Sequence, residues 1–295
     1  MSVSVPSLST PQAAFSDRRK AFRALHERGC FVIPNPWDVG SARYLQHLGF
    51  PALATTSAGF AFSQGLPDSG DDAVIGRDRS LGYISSITAA VDLPVSADFM
   101  SGYGLAPEDV AESVTRCVAT GVAGLSIEDA TGDSLSPLYD LPSAVERVRA
   151  ARQAIDQSGE EVLLTARAEC YHVGHPDPFR ESVRRLQAYA AAGADVLFAP
   201  GPETPDEIKA LVEAVAPKPL NLLVVRHIGL RTEEITALGV RRISVGGALA
   251  LAAWTGFMRA AQALRSKGSF DGLAGLAPYA EVNGLFATAL ERPRG

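Results

Sequence analysis

PVSADFMSGYGLAPEDVAESVTRCVATGVAGLSIE, residues Pro94–Glu128, decides the fold. Its two ends, Pro94–Asp98 and Gly124–Glu128, are short apolar runs bounded by turn residues, and each closes on an acid. Such runs suit strands buried on both faces. Between them, Ala106–Thr120 opens with Pro107 followed by Glu108 and Asp109 and is stopped by Gly121. Proline and acids favour a helix's first turn, and glycine favours its end. A strand, a helix and a second strand in this order give parallel strands joined by a right-handed crossover.

The same unit recurs outward in both directions. Phe31–Pro34 and Ala52–Thr55 read as strands before it, and Val162–Arg167, Val196–Ala199, Leu220–Val224 and Arg242–Val245 after it. Helical patterns fall between, among them Leu141–Gln157 and Asp177–Ala192. The latter carries Phe179, Val183, Leu186 and Tyr189 on one face. Eight strand–helix repeats predict an α/β fold, a (β/α)8 TIM barrel. A helix over about Ala14–Arg28 precedes the first strand and is placed to cap the lower end. The apolar helix Ala248–Leu264 is followed by a glycine-rich turn and a further helix, Tyr279–Leu290. No composition shift or linker divides residues 1–295, so one domain is expected.

The totals narrow the function. Hydrophobic residues make up 46% of the 295 and charged residues 20%, enough for a large core. A net charge of -6 offers no basic surface for nucleic acid. Met1–Ala14 lacks the charged start and apolar stretch of a signal peptide. Val245–Met258 is too short and too interrupted by glycine to span a bilayer. Cys30, Cys117 and Cys170 form no CxxC pair, so neither a disulfide framework nor a zinc cluster is indicated. A cytoplasmic protein with no membrane partner is the expectation.

In this barrel the active site belongs to the loops after the strands. Those ends carry Asn35 and Asp38, Thr55–Gly59, Asp98, Glu128 and Asp129, Arg167 with Glu169, and Asn221. Acids on two adjacent strand ends with a cation on the next suit Mg²⁺ beside an anionic substrate. The loop Thr55–Gly59 offers backbone N–H groups to a carboxylate or phosphonate. Asp38 precedes a helical run and reads as an N-cap, and Trp37 as packing. His172 and His175 read as polar loop residues before ligands. His227 stays open. Cys30 and Cys117 read as packing, and Cys170 is the thiol nearest the site. Gly102-Tyr103-Gly104 lacks the strand–GxGxxG–helix setting of a dinucleotide site.

Five stretches, in order, resemble the isocitrate lyase / phosphoenolpyruvate mutase superfamily. TTSAGFAFSQGLPDSG (Thr55–Gly70) resembles its substrate loop, and VSADFMSGYG (Val95–Gly104) its metal-binding strand. GVAGLSIEDA (Gly121–Ala130), LLTARAEC (Leu163–Cys170) and GADVLFAPG (Gly193–Gly201) are similar to its fourth, fifth and sixth strands. The resemblance implies Mg²⁺ or Mn²⁺, enolate chemistry on a small 2-oxo or 2-hydroxy acid, and an eighth helix exchanged between subunits of a homo-oligomer, a dimer or tetramer. It implies that Asp98 is the principal metal ligand, with Glu128 and Asp68 acting through metal-bound waters. Thr56, Ser57 and Ala58 match the loop that binds the substrate's distal anionic group. Arg167 matches the residue that bridges to substrate, so Arg167, Glu128 and Asp68 are the expected catalytic groups, and Asn221 joins the substrate-binding set.

Two departures sharpen this. Met100 stands where the family's metal strand has its second acid, which suggests that an acid restored there would tighten metal binding. The loop Asp129–Asp140, DATGDSLSPLYD, lacks the Lys-x-Cys-Gly-His pattern of isocitrate and methylisocitrate lyases. It also lacks the Lys and Asn of mutase gating loops. A carbon–carbon lyase or decarboxylase for a small carboxylate substrate is therefore expected. A phosphonopyruvate-type mutase or hydrolase is the first alternative, and a metabolite-binding barrel without turnover the second.

Overall fold

The computed structural model describes residues 11–69 and 71–290. Helix α1 (Pro11–Glu27) leads into strand β1 (Phe31–Ile33) and α2 (Val39–His47). Strand β2 (Leu53–Ala54) is followed by three helices, α3 (Ser57–Ser63), α4 (Asp72–Ile75) and α5 (Arg77–Ala90). The regular alternation then runs β3 (Val95–Asp98), α6 (Pro107–Val118), β4 (Gly124–Glu128), α7 (Leu141–Ser158), β5 (Leu163–Arg167) and α8 (Pro178–Ala191). It continues through β6 (Val196–Phe198), α9 (Pro205–Val215), β7 (Leu220–Leu223), α10 (Thr232–Ala237) and β8 (Arg242–Ser244). Helices α11 (Ala248–Lys267) and α12 (Tyr279–Leu290) complete the chain.

All eight strands are parallel, in the order β1-β8-β7-β6-β5-β4-β3-β2. Between β1 and β2 the amide of Ala54 donates to the carbonyl of Pro34 at 3.1 Å, which nearly closes the ring. The protein is thus the expected (β/α)8 TIM barrel. Gly124–Glu128 forms as read, and the other strands are one or two residues shorter than the apolar runs suggest. The difference has a simple cause: hydrophobicity continues past the last ladder hydrogen bond, because the residues at the strand ends are still covered by helices.

Helix α1 plugs the N-terminal end, as its position suggested. Phe22 is fully buried against Phe31, Ile33, Ala52, Ala123 and Leu163. Burying such a ring is worth about 1.5–3 kcal/mol. Arg19 ties the plug down by donating to the carbonyls of Val122 (3.0 Å) and Val118 (3.2 Å) and pairing with Glu160. Residues 1–10, where the reading of the N-terminus as no signal peptide mostly falls, lie outside those described.

One reading needs correction. The stretch after Thr55 is a helix rather than a loop: Thr56 is the N-cap of α3, its hydroxyl accepting from Gly59 N–H at 3.2 Å. Phe60 of that helix stacks on Tyr83 of α5 with ring centroids 4.2 Å apart. Gly59 is needed for this approach, since a Cβ there would lie 2.8 Å from the Trp37 side chain. Small residues and a central glycine hid the helix, because its stability comes from tertiary contact rather than propensity. Along α11, Leu251, Phe257 and Met258 are exposed, so the helix offers its neighbours in this chain little of its apolar surface.

Candidate active site

Parallel pairing puts the polar strand ends side by side. In register, Asp98 on β3 lies beside Ser126 on β4, and Glu128 on β4 beside Arg167 on β5. A cavity of about 250 Å³ opens there, inside the barrel and above its floor. Asp98 and Arg167 line its wall, Thr56, Ser57 and Ala58 line one side, Asp68 and His172 line its mouth, and Asn221 lies deeper. The strand-end residues singled out in the sequence therefore converge. Glu128 stands just behind the wall, against Arg167.

Arg167 organises the cluster. Its Nη1 lies 2.9 Å from Glu128 Oε2 and 3.6 Å from Asp98 Oδ1, and its Nε contacts Glu169 Oε1. The guanidinium also sits 5.1 Å from the ring centroid of Phe198. Three carboxylates around one cation leave an excess of negative charge. Burial, with repulsion from Glu169 and Asp98, pushes the Glu128 carboxyl well above the usual range, although Arg167 opposes this. Burial and then Asp129 push Glu169 up in the same way. Asp68 is raised by burial and by Asp98, and is eased by Arg167 and His172. Arg167 is correspondingly held in its charged form by Glu128, Glu169 and Asp98, which outweigh its burial.

Asp98 is oriented from below and from the side. Its N–H donates to Thr55 Oγ1 at 2.8 Å. Its Oδ2 accepts from both the amide and the hydroxyl of Ser57 at 2.9 Å. The Ser57 amide expected to hold substrate thus holds Asp98. Asn35, another strand-end residue, acts as a pin: Nδ2 donates to Thr55 O, and Oδ1 accepts from Val245 and Gly246 N–H, each at 2.9 Å.

Several residues turn away. Asp129 points out of the barrel, where Oδ2 accepts from Tyr189 (2.5 Å) and Arg185 (3.0 Å) of α8. Its Oδ1 accepts from Glu169 N–H at 2.8 Å, so the outer layer fixes the backbone that carries Glu169. Asp38 is the N-cap of α2, as read. Cys170 is buried away from the cavity, and burial raises its thiol to about 11. His227 and His175 do not line the cavity. Met100 is buried at 4% exposure in a left-handed turn, φ 46°, and its carbonyl accepts from Glu128 N–H at 2.9 Å. Its side chain is not on the cavity wall. A carboxylate there would be buried without an evident partner, so the expected gain in metal binding gives way to an expected cost.

Glu169, noted beside Arg167 in the sequence without a role, belongs to the site, and two site residues, Ser244 and Arg242, were missed. Glu169 follows the end of β5, and only the bend after Arg167 brings it inward. Ser244 and Arg242 lie on β8 with their side chains toward the cavity. The signal for these two was available: alternate residues of one short strand, both polar in an otherwise apolar run, share one face.

Among the described residues, no three His, Cys, Asp or Glu side chains converge as a ready metal cage. The donor set still fits a water-rich divalent site. Asp98, Glu128 and Glu169 surround the guanidinium of Arg167, Asp68 lines the same cavity, and Asp68, Glu128 and Glu169 are raised by burial and by neighbouring carboxylates. Mg²⁺ characteristically takes one or two carboxylates and keeps its waters.

Comparison with known proteins agrees with this geometry. A crystal structure of a lyase or mutase candidate from Burkholderia cenocepacia is 46% identical, covers 93% of this chain and 98% of its own, and superposes with a TM-score of 0.88. The oxaloacetate decarboxylase of Pseudomonas entomophila is 31% identical over 82% of this chain and 83% of its own length. The structure of 2,3-dimethylmalate lyase, a PEP mutase/isocitrate lyase superfamily member, is 28% identical with a TM-score of 0.79, covering 96% of this chain and 97% of its own. The family model described as phosphoenolpyruvate phosphomutase matches residues 22–265, the barrel from its N-terminal plug to the last turns of α11. With the barrel, its strand-end acids and its relatives in agreement, the chain belongs to the PEP mutase/isocitrate lyase superfamily of enzymes.

Proposed function

We propose that the protein is a carbon–carbon lyase or decarboxylase for a small 2-oxo or 2-hydroxy dicarboxylic acid. The observation that carries this reading is Arg167 held rigidly among Glu128, Glu169 and Asp98 on the wall of one cavity. Asp98 would hold Mg²⁺ or Mn²⁺, with Glu128 and Asp68 ordering its waters. Bound there, the cation supplies Lewis acidity to the oxygen that gains charge as the bond breaks.

The chain's own groups do the positioning. The amide and hydroxyl of Ser57 fix Asp98, so its second oxygen faces the cavity side that Arg167 shares. The Arg167 fork orients the substrate carboxylate and stabilises charge as it develops on the 2-oxygen. Thr56 and Ala58 line the cavity side beside it, and Asn221 presents its amide near the floor. In a decarboxylation the bond to the departing carboxylate breaks, and its electron pair moves into the enolate. The product then takes its proton from solvent. Such a reaction asks little of the loop Asp129–Asp140, whose hydroxyls, Ser134, Ser136 and Tyr139, are poor proton donors at neutral pH.

Mixing the protein with Mg²⁺ and a panel of acids, then following pyruvate or CO₂, tests the reading. Oxaloacetate-like or alkylmalate-like acids should turn over, isocitrate should be poor, and Asp98→Ala should abolish the metal dependence together with turnover. Efficient isocitrate turnover with nothing from the others refutes it. Release of phosphate from phosphonopyruvate favours the hydrolase alternative, its conversion to phosphoenolpyruvate favours the mutase, and tight binding of acids without any product favours a non-catalytic barrel.

The exposed apolar face of α11 supports a homo-oligomer, dimer or tetramer, in which this helix packs on a second copy. Contiguous exposed apolar surface of this kind marks an interaction site. Light scattering at micromolar concentration should show a multiple of 31.0 kDa, and a single species of monomer mass would refute the assembly.

A further inference from the structure

Two residues other than glycine have a positive φ among those described, Met100 at 46° and Tyr103 at 52°, and both fall in one turn. Gly102 between them is at 93°. A side chain in this region is strained, and it persists only where its surroundings over-determine it. The turn follows Asp98 at the end of β3, and the Met100 carbonyl accepts from Glu128 N–H at 2.9 Å. It therefore joins the two strand ends that carry these acids.

Two side chains from elsewhere hold the turn. Asp72, the first residue of α4, accepts at Oδ2 from Ser101 Oγ (2.5 Å) and Tyr103 N–H (2.9 Å). Its Oδ1 accepts from Ser101 N–H at 3.3 Å. Burial raises the Asp72 carboxyl, and the hydrogen bonds from Ser101 and Tyr103, then the charge of Arg147, oppose this. Arg147 of α7 is 3% exposed. It donates from Nη2 to Ser101 O at 2.7 Å and from Nη1 to Leu105 O at 2.9 Å. Its guanidinium also lies 4.1 Å from the ring centroid of Tyr139, at the foot of the loop Asp129–Asp140.

Neither Asp72 nor Arg147 lines the cavity, but the segments they tie together do. Asp72 follows Asp68 by four residues, so one side of the cluster holds the segment that brings Asp68 to the cavity mouth. The other side holds the turn between Asp98 and Glu128, and Arg147 stands behind Glu128 in a narrow crevice. Acids from three separate segments thus depend on one polar cluster for their spacing. A turn that served only to connect β3 to α6 could relax into unstrained backbone.

We propose that Asp72 and Arg147 are positioning residues for the divalent cation: by holding the strained turn they set the distances between Asp98, Glu128 and Asp68. This rests on reading those three acids as the metal site. The cluster acts on the geometry of the acids and touches neither cation nor substrate. The competing role is plain stability, in which the cluster only pins a loop to the barrel.

Binding of Mn²⁺ to the full chain, followed by electron paramagnetic resonance of the free ion, separates the two roles without turnover. Asp72→Ala and Arg147→Met should each weaken Mn²⁺ by about 10- to 100-fold, the usual cost of losing a group that orients metal ligands. Asp72→Asn and Arg147→Lys keep part of the hydrogen bonding and should recover part of the affinity. They also keep the test open if the first two variants fold poorly. Phe22→Leu is the control, because it removes packing from the plug at the other end of the barrel. It should melt at a lower temperature and bind Mn²⁺ as the wild type does. An Mn²⁺ affinity unchanged in all four cluster variants overturns the proposal. An equal loss in Phe22→Leu also overturns it and identifies the stability role. Wild-type protein that binds no Mn²⁺ overturns the metal reading of Asp98, Glu128 and Asp68 itself, and the proposal with it.

Discussion

Arg167 and Arg242 line one cavity, yet their surroundings are opposite. Arg167 sits at the strand ends and meets Asp98, Glu128 and Glu169. Arg242 sits at the floor and meets only Asn221 and Thr165. The first is a cation in acid surroundings, raised above its ordinary pKa by its neighbours; the second is a cation in neutral surroundings, lowered by burial. The difference separates two jobs that an arginine can do. A guanidinium among acids is a fixed, oriented part of the site, and it keeps three mutually repelling carboxylates together. One whose partners are an amide and a hydroxyl is held in the barrel floor by neutral hydrogen bonds.

The comparison predicts the largest effect at Arg167. Arg167→Met removes the cation that, among the described residues, pairs with Asp98, Glu128 and Glu169, and leaves buried carboxylates facing one another. Breaking a buried ion pair in this way costs about 3–5 kcal/mol, so the variant should show a much lower unfolding midpoint as well as lost turnover. Arg242→Met removes hydrogen bonds to neutral partners and should keep more of its stability. A thermal melt of both Met variants side by side checks this, and equal destabilisation would break the contrast.

The smallest effect comes from the histidine beneath Arg242. Burial, followed by the charge of Arg242, lowers His26 to about 3 from its ordinary 6.5, so the folded protein keeps it neutral while the unfolded chain protonates it. The unfolded state therefore binds more protons between those values. The His26 contribution is intact above about pH 6.5 and is lost as pH falls through that window toward 3. The slope approaches about 1.4 kcal/mol per pH unit well below 6.5. Denaturant midpoints between pH 7 and 5 should fall less steeply in His26→Phe than in the wild type. Parallel slopes would show that His26 is not held neutral, and would weaken the view of the floor as a place where only Arg242 carries charge.

Much of this site was legible in the chain. Asp98, Glu128 and Arg167 each close an apolar run, and in a parallel barrel strand ends share one rim, so their convergence follows from the fold. The helix at Ser57–Ser63 was not legible, because its cap, Thr56, and its packing glycine, Gly59, act through Trp37 and Tyr83 from elsewhere in the chain. Asp129, placed in the sequence at the same strand end as Glu128, shows a related limit. Alternation turns it away from Glu128, but only the docked helix α8 supplies Arg185 and Tyr189 to receive it.

The sequence by itself determined the barrel, through eight repeats of a short buried strand and an amphipathic helix, and the kind of chemistry, through charged residues where those strands stop. Both are local or periodic properties, readable a few residues at a time. The tertiary structure alone decided which charges are neutralised. Arg167 and Arg242 are the same residue type in one barrel, the first at the end of β5 and the second at the start of β8. Whether a carboxylate stands within reach depends on strand register and on which loops bend inward, and those contacts join residues far apart in the chain. Charge is written in the sequence; its compensation depends on distance, which only the closed barrel sets.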